Sequence, residues 1–106
     1  MSRIGLDHRV AHREGVLFRN LDGEAVLVDL TSGTYYGLDP VGTRIWERIG
    51  GGARVDALLE AILEEYEVDP GTAKRDLLRL LGVLEGRRLI RVAASPAAPR
   101  GSRADR

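Results

Sequence analysis

The sequence holds no cysteine. That excludes a disulfide framework, a thiolate zinc site and a thiol nucleophile. It permits a reducing cytoplasm as the compartment. No apolar run approaches the roughly 20 residues needed to cross a bilayer, so no membrane partner is expected. The opening Met1-Ser2-Arg3-Ile4-Gly5 lacks the apolar stretch of a secretory signal. Net charge is missing as well, because 16 basic residues offset 16 acidic ones. A protein that binds nucleic acid in bulk draws most of its affinity from a basic surface, so none is expected as a partner. Lysine is nearly absent: 15 of the 16 basic residues are arginine, which reads as coding bias before function. What remains is 43% hydrophobic and 30% charged over 106 residues, the make-up of one small globular domain. A chain of this size buries roughly 60–68% of its unfolded surface, enough for one core with little surplus.

Residues 1–14 show no clear period and read as an N-terminal extension, with an extended piece around Val10. The domain proper is expected over 15–92. Residues 93–106 are a tail of Ala, Pro, Ser and Arg with no large apolar side chain. Such a segment cannot bury enough surface to offset its ordering entropy, so disorder is expected there.

Residues 16–38 read as a three-stranded antiparallel meander. Leu21-Asp22-Gly23 and Thr31-Ser32-Gly33 read as three-residue loops, each with glycine as the left-handed third residue. That loop length pairs Phe18 with Val26 and Val28 with Tyr36. It places Val16, Phe18, Val26, Val28, Leu30, Tyr36 and Leu38 on one apolar face. Leu27, Asp29, Tyr35 and Gly37 fall on the other. A two-residue Asp22-Gly23 turn would put Phe18 on the face of Asp29, which argues for the longer loop.

Residues 39–86 read as three helices. Asp39-Pro40 and Asp69-Pro70 are each a cap followed by proline at the first helical position. Gly50-Gly51-Gly52 ends the first helix. The second carries Val55, Leu58, Leu59, Ile62, Leu63 and Tyr66, a full amphipathic stripe. The third ends at Gly86, and Leu89-Ile90-Arg91-Val92 can form a short last strand. The fold class is therefore α+β, a three-stranded antiparallel sheet followed by three helices.

The third helix has more apolar surface than a core requires. Ala73, Leu77, Leu80 and Leu84 suffice to face the interior, and Leu78 and Leu81 widen the arc. The third strand of a meander is an edge unless something covers it. An open edge beside an apolar helix flank is a place where an extended peptide can add as a further strand. A helix buried on two sides is the alternative explanation of the same leucines.

No constellation supports catalysis. His8 and His12 stand four apart, but no third ligand accompanies them, so they read as surface histidines and no metal or cofactor is expected. The carboxylates Glu64, Glu65 and Glu67 read as a solvated face. The three consecutive glycines precede no Lys-Ser/Thr and are a linker, not a phosphate loop. Asp76 reads as an intrahelical partner of Arg79, and Trp46 as core.

The run from Leu30 through Gly33-Thr34-Tyr35-Tyr36-Gly37-Leu38-Asp39-Pro40 to Ile45-Trp46 resembles the PqqD family. So does the order downstream: a glycine-rich break, a Val-x-x-Leu-Leu helix, Tyr66-Glu67-Val68-Asp69-Pro70, and a leucine-rich helix closing on Arg88-Leu89-Ile90. The resemblance covers residues 15–92. It implies a winged-helix-like domain without catalytic activity that recognises the leader of a ribosomally made precursor peptide. The leader would add against Thr34, Tyr35, Tyr36, Gly37 and Leu38. The facing helix positions would be Lys74, Leu77, Leu78 and Leu81. Within the family, the chain looks most like the leader-binding half of a split lasso-peptide protease. Its partners would then be the precursor leader, a separate leader peptidase and a cyclase. Another branch resembles a chaperone that presents a precursor peptide to a radical enzyme in pyrroloquinoline quinone-type biosynthesis.

Two further readings compete. A DNA-binding winged helix would use Lys74, Arg75 and Arg79 on the third helix, against which stand the zero net charge and Asp76 among those cations. A homodimer could form through the open sheet edge, since a second copy can pair there as well as a peptide can.

Overall fold

A computed structural model of the chain describes residues 4–93. Within them the strands and helices are β1 (Arg9–His12), β2 (Val16–Leu21), β3 (Glu24–Asp29), β4 (Thr34–Gly37), α1 (Pro40–Ile49), β5 (Ala53–Arg54), α2 (Val55–Glu65), α3 (Pro70–Gly86) and β6 (Ile90–Ala93). Antiparallel sheets and three helices in this order make the winged-helix-like α+β fold that the sequence predicts. No helix among the described residues is long and apolar enough to cross a membrane.

The Asp-Pro pairs start helices as expected. Asp39 Oδ1 accepts from the Gly42 amide at 2.7 Å, and Asp69 Oδ2 from the Thr72 amide at 3.0 Å. Each carboxylate satisfies an amide that a helix start leaves unpaired. Gly50, with φ 46°, ends α1 and donates to the Trp46 carbonyl.

The meander forms in the order β2-β3-β4, but its register differs from the sequence reading. The β2-β3 connection is the two-residue Asp22-Gly23 turn, with Leu21 opposite Glu24. Both turn residues are left-handed, Asp22 at φ 63° and Gly23 at φ 93°. This backbone matches the twist of a hairpin, which is why Asp-Gly favours it over a longer loop. The β3-β4 loop has four residues, 30–33, and its Gly33 amide donates to Asp29. Phe18 therefore stands opposite Leu27, and Leu27 opposite Tyr36. The expected faces of β2 and β4 hold, whereas β3 is inverted. Ala25 and Leu27 enter the core, and Val26 and Val28 turn outward with Leu17 and Tyr35. The penalty of placing Asp29 on the inner face is met locally. Its carboxylate sits at the sheet end and accepts from the Thr31 amide and the Ser32 hydroxyl, both at 3.0 Å. These bonds hold Asp29 below the ordinary carboxylate pKa.

The segment read as an N-terminal extension contributes to the fold. β1 is the middle strand of a second sheet, β5-β1-β6, and Ile4 and Val10 join the buried core. The short last strand forms as β6. Trp46, Leu27, Ile49, Leu77, Leu81, Leu84 and Ile90 are the large side chains at the centre. Buried Thr43 ties α1 to the meander: its hydroxyl accepts from the Ala25 amide at 2.7 Å. Glu65 bridges α1 and α2 through Arg44 at 2.6 Å and Arg48 at 2.8 Å. Hydrogen bonds from those two guanidinium groups lower its pKa to about 2.

Two further expectations change. His12 is half-buried, not a surface residue. Its ring stacks on Trp46 with centroids 3.6 Å apart. The expected tail begins at Ala93 in β6, and its remainder lies outside the described residues.

Candidate peptide-binding edge and cleft

β4 pairs with β3 on one side and with no other strand among the described residues. The polarity of its free side follows from the ladder. The Leu38 amide donates to the Ala25 carbonyl at 2.8 Å. Antiparallel pairs alternate between bonded and non-bonded, so Tyr36, two residues before, also turns its amide and carbonyl to β3. The N–H and C=O groups of Tyr35 and Gly37 face outward. They are the groups that an added strand would meet. Tyr35 projects its ring to solvent at 72% exposure, and Tyr36 turns its ring toward the helices.

A cleft of about 330 Å3 opens beside the end of this strand. Val41 and Ile45 of α1 line it, with Tyr66 and Val68 from the α2-α3 connection and Leu77 and Leu80 of α3. The carboxylates of Asp39 and Asp76 also line it. Asp39 and Val41 come directly after β4, so the cleft begins where the strand edge ends. At the other end of α3, the Arg87 guanidinium lies over the Tyr36 ring, 4.9 Å from its centroid. The first half of α3 thus lines the cleft, and Arg87, just past its last turn, meets Tyr36.

Thr34, Tyr35, Tyr36 and Gly37 form this edge strand, and Leu38 follows it, buried. Of the helix residues that the resemblance implied, Leu77 lines the cleft. Leu81 is fully buried in the core, Leu78 is half-buried against it, and Lys74 is exposed. Leu80 lines the cleft instead, together with Asp76 one turn before it. Residues two positions apart on a helix are about 200° apart in rotation, so Asp76-Leu80 and Lys74-Leu78 are different flanks. Sequence periodicity assigned Leu80 to the core and Leu81 to the flank, and the structure exchanges them. Val41 and Asp76 were not singled out for the cleft, nor Arg87 for the Tyr36 face. Val41 and Asp76 lie about one turn from the strand end or from Leu80, whereas Arg87 has no such local signal. Asp76 does meet Arg79 as expected, loosely, at 3.9 Å.

Among the described residues no group of three or more His, Cys, Asp and Glu side chains could hold a metal ion. His12, stacked on Trp46, places Nε2 2.9 Å from the Trp46 carbonyl, and burial lowers its pKa despite that hydrogen bond.

Known proteins resemble this chain in sequence and in fold. The family model described as Coenzyme PQQ synthesis protein D (PqqD) matches residues 24–90. The solved structure of TbiB1 in complex with the TbiA(beta) leader peptide is similar, at 38% identity and a TM-score of 0.69. That likeness covers 76% of this chain and 93% of TbiB1. A lasso peptide synthetase B1 complexed with its leader peptide shares the fold, at 24% identity and a TM-score of 0.64 over 77% of this chain and 96% of that one. No curated protein matches. With more than half its length matched by the family model, the chain belongs to the PqqD family.

Proposed function

We propose that this protein binds the leader segment of a ribosomally made precursor peptide, as in lasso-peptide biosynthesis. The leader adds as a strand along β4 and carries no reaction there. Tyr35 and Gly37 supply the main-chain hydrogen bonds, and the cleft between α1 and α3 takes an apolar side chain of the peptide. The protein then delivers the precursor, in the cytoplasm, to a separate leader peptidase and cyclase. The observation that carries this reading is the open β4 edge with an apolar cleft at its end, in a chain 38% identical to TbiB1, which is solved with a leader peptide.

Titration of fluorescently labelled TbiA(beta) leader, and of any leader encoded beside this protein's gene, tests it by anisotropy. Saturable binding that resists added salt is expected, and Leu80→Asp should weaken it. Absence of saturation with every leader would sink the reading. A second reading is presentation of a precursor to a radical enzyme in pyrroloquinoline quinone-type biosynthesis, the synthesis that the family description names. Co-purification with such an enzyme instead of a peptidase would select it. Steeply salt-dependent binding to duplex DNA would instead select the nucleic-acid reading. Light scattering distinguishes a dimer formed through the same edge, since leader would then convert dimer to monomer.

A further inference from the structure

We infer that Arg87 is a specificity residue that selects an acidic side chain in the bound strand, at the position directly opposite Tyr36. The inference rests on strand addition along β4. Tyr36 turns its main-chain groups to β3, so the residue paired with it on the open side stands in a non-bonded pair. Such pairs bring Cα atoms to about 4.5 Å and place both side chains on one face. That face is the one where the Arg87 guanidinium lies over the Tyr36 ring, 4.9 Å from the centroid. The Tyr36 ring holds the cation beside this face, and its N–H donors make no ion pair with a carboxylate of the described residues. Those donors match a carboxylate bidentately.

Arg87 is exposed, and no carboxylate of the described residues lies within ion-pair distance of it, in contrast to Arg44, Arg48 and Arg54. The requirement is also specific to one position. Two residues further along the same face, opposite Leu38, a bound side chain reaches the apolar cleft. Asp39 and Asp76 line that cleft and repel a carboxylate placed there. A peptide shifted by two residues would therefore move its acidic group from attraction to repulsion. The pair of charges sets the register as well as the preference, and the bound pattern reads acidic, any residue, apolar along β4 from Tyr36 toward Leu38.

The experiment is an array of the TbiA(beta) leader peptide with every position replaced in turn by Glu, Gln and Lys, read by anisotropy titration. Wild-type protein should prefer Glu over Lys at one position by roughly tenfold, the scale of one charge-assisted hydrogen bond. It should reject Glu two residues away. Arg87→Glu should reverse the preference to Lys at that same position and leave the rest of the profile unchanged. Arg87→Gln should flatten it. A purely structural role for Arg87 cannot produce the reversal. Saturable binding with no charge preference, or a preference that Arg87→Glu leaves in place, would overturn the assignment alone. No saturation by any peptide of the array would overturn strand addition itself, and the assignment with it.

Discussion

His12 lies face to face on Trp46, with ring centroids 3.6 Å apart and an interplanar angle of 11°. The contact joins β1 to the C-terminal half of α1. Phe18 of β2 meets both rings edge-on at 5.7 Å. One aromatic cluster thus ties the two sheets to the first helix.

This stack makes stability depend on pH. Burial lowers the His12 pKa below its ordinary value, so the folded state favours the neutral ring. The stabilising contribution is complete above the unfolded pKa of roughly 6.5 and is lost as pH falls through the lower folded value. Thermal unfolding followed by circular dichroism from about pH 8 to about pH 5 should show Tm falling through the range where histidine titrates. His12→Phe keeps an aromatic ring without a titrating group and should flatten that fall. Parallel slopes for the two proteins would show that His12 is not the source.

The register of β3 predicts opposite responses at adjacent residues. Leu27 is fully buried and Val28 faces outward. Leu27→Ala should destabilise by about 2–5 kcal/mol through lost transfer energy and a cavity. Val28→Thr should cost only about 0.5 kcal/mol, as at other surface positions. Urea unfolding measures both. The reverse order would restore the three-residue loop and its faces.

Acid should loosen the contact between α1 and α2. The Glu65 carboxylate titrates at about 2, below its ordinary value of 4.5, because Arg44 and Arg48 hydrogen-bond its charged form. A depressed carboxylate pKa gives stability that is present above the unfolded value and is lost as pH falls toward the folded one. Glu65→Gln should therefore lower Tm near neutral pH and converge with the wild type under strongly acidic conditions. A constant difference at all pH values would refute the charge-based account.

Proline separates the two sides of β4. Tyr35 turns its amide to the open edge, where a missing donor is tolerated by the free protein. Tyr35→Pro should keep Tm within a few degrees and weaken leader binding at least about tenfold. Tyr36→Pro removes an amide from the β3 ladder and should destabilise the fold itself. Scanning calorimetry with leader titration measures the contrast, and equal losses of stability for the two variants would contradict the edge polarity.

Local chemistry made much of this protein legible from residues alone. Asp39-Pro40 and Asp69-Pro70 start helices because a carboxylate cap and a proline satisfy the first turn without reference to the rest of the chain. Gly50 and Gly86 mark stops for similarly local reasons. The apolar period of α2 and the status of the third strand as an edge were also readable, and with them the location of the candidate site. β1 was readable only as an extended piece around Val10, because Arg9-Val10-Ala11-His12 has one core residue and its place in a sheet comes from pairing with β5 and β6.

Tertiary structure decided the register of β3 and the working flank of α3. The first turned on a single residue of loop length, which inverts a strand because side chains alternate with period two. Asp22 accepts a left-handed backbone, so the two-residue turn forms and Leu27, not Val28, enters the core. The second had no local answer. Leu78, Leu80 and Leu81 are equally apolar, and a helix of one composition can turn any of them to a neighbour. Packing against α2 and β6 fixed that rotation, burying Leu81 and leaving Leu80 on the cleft. The sequence determined that an open strand and a leucine-rich helix exist; only their packing determined which leucine and which arginine stand beside that strand.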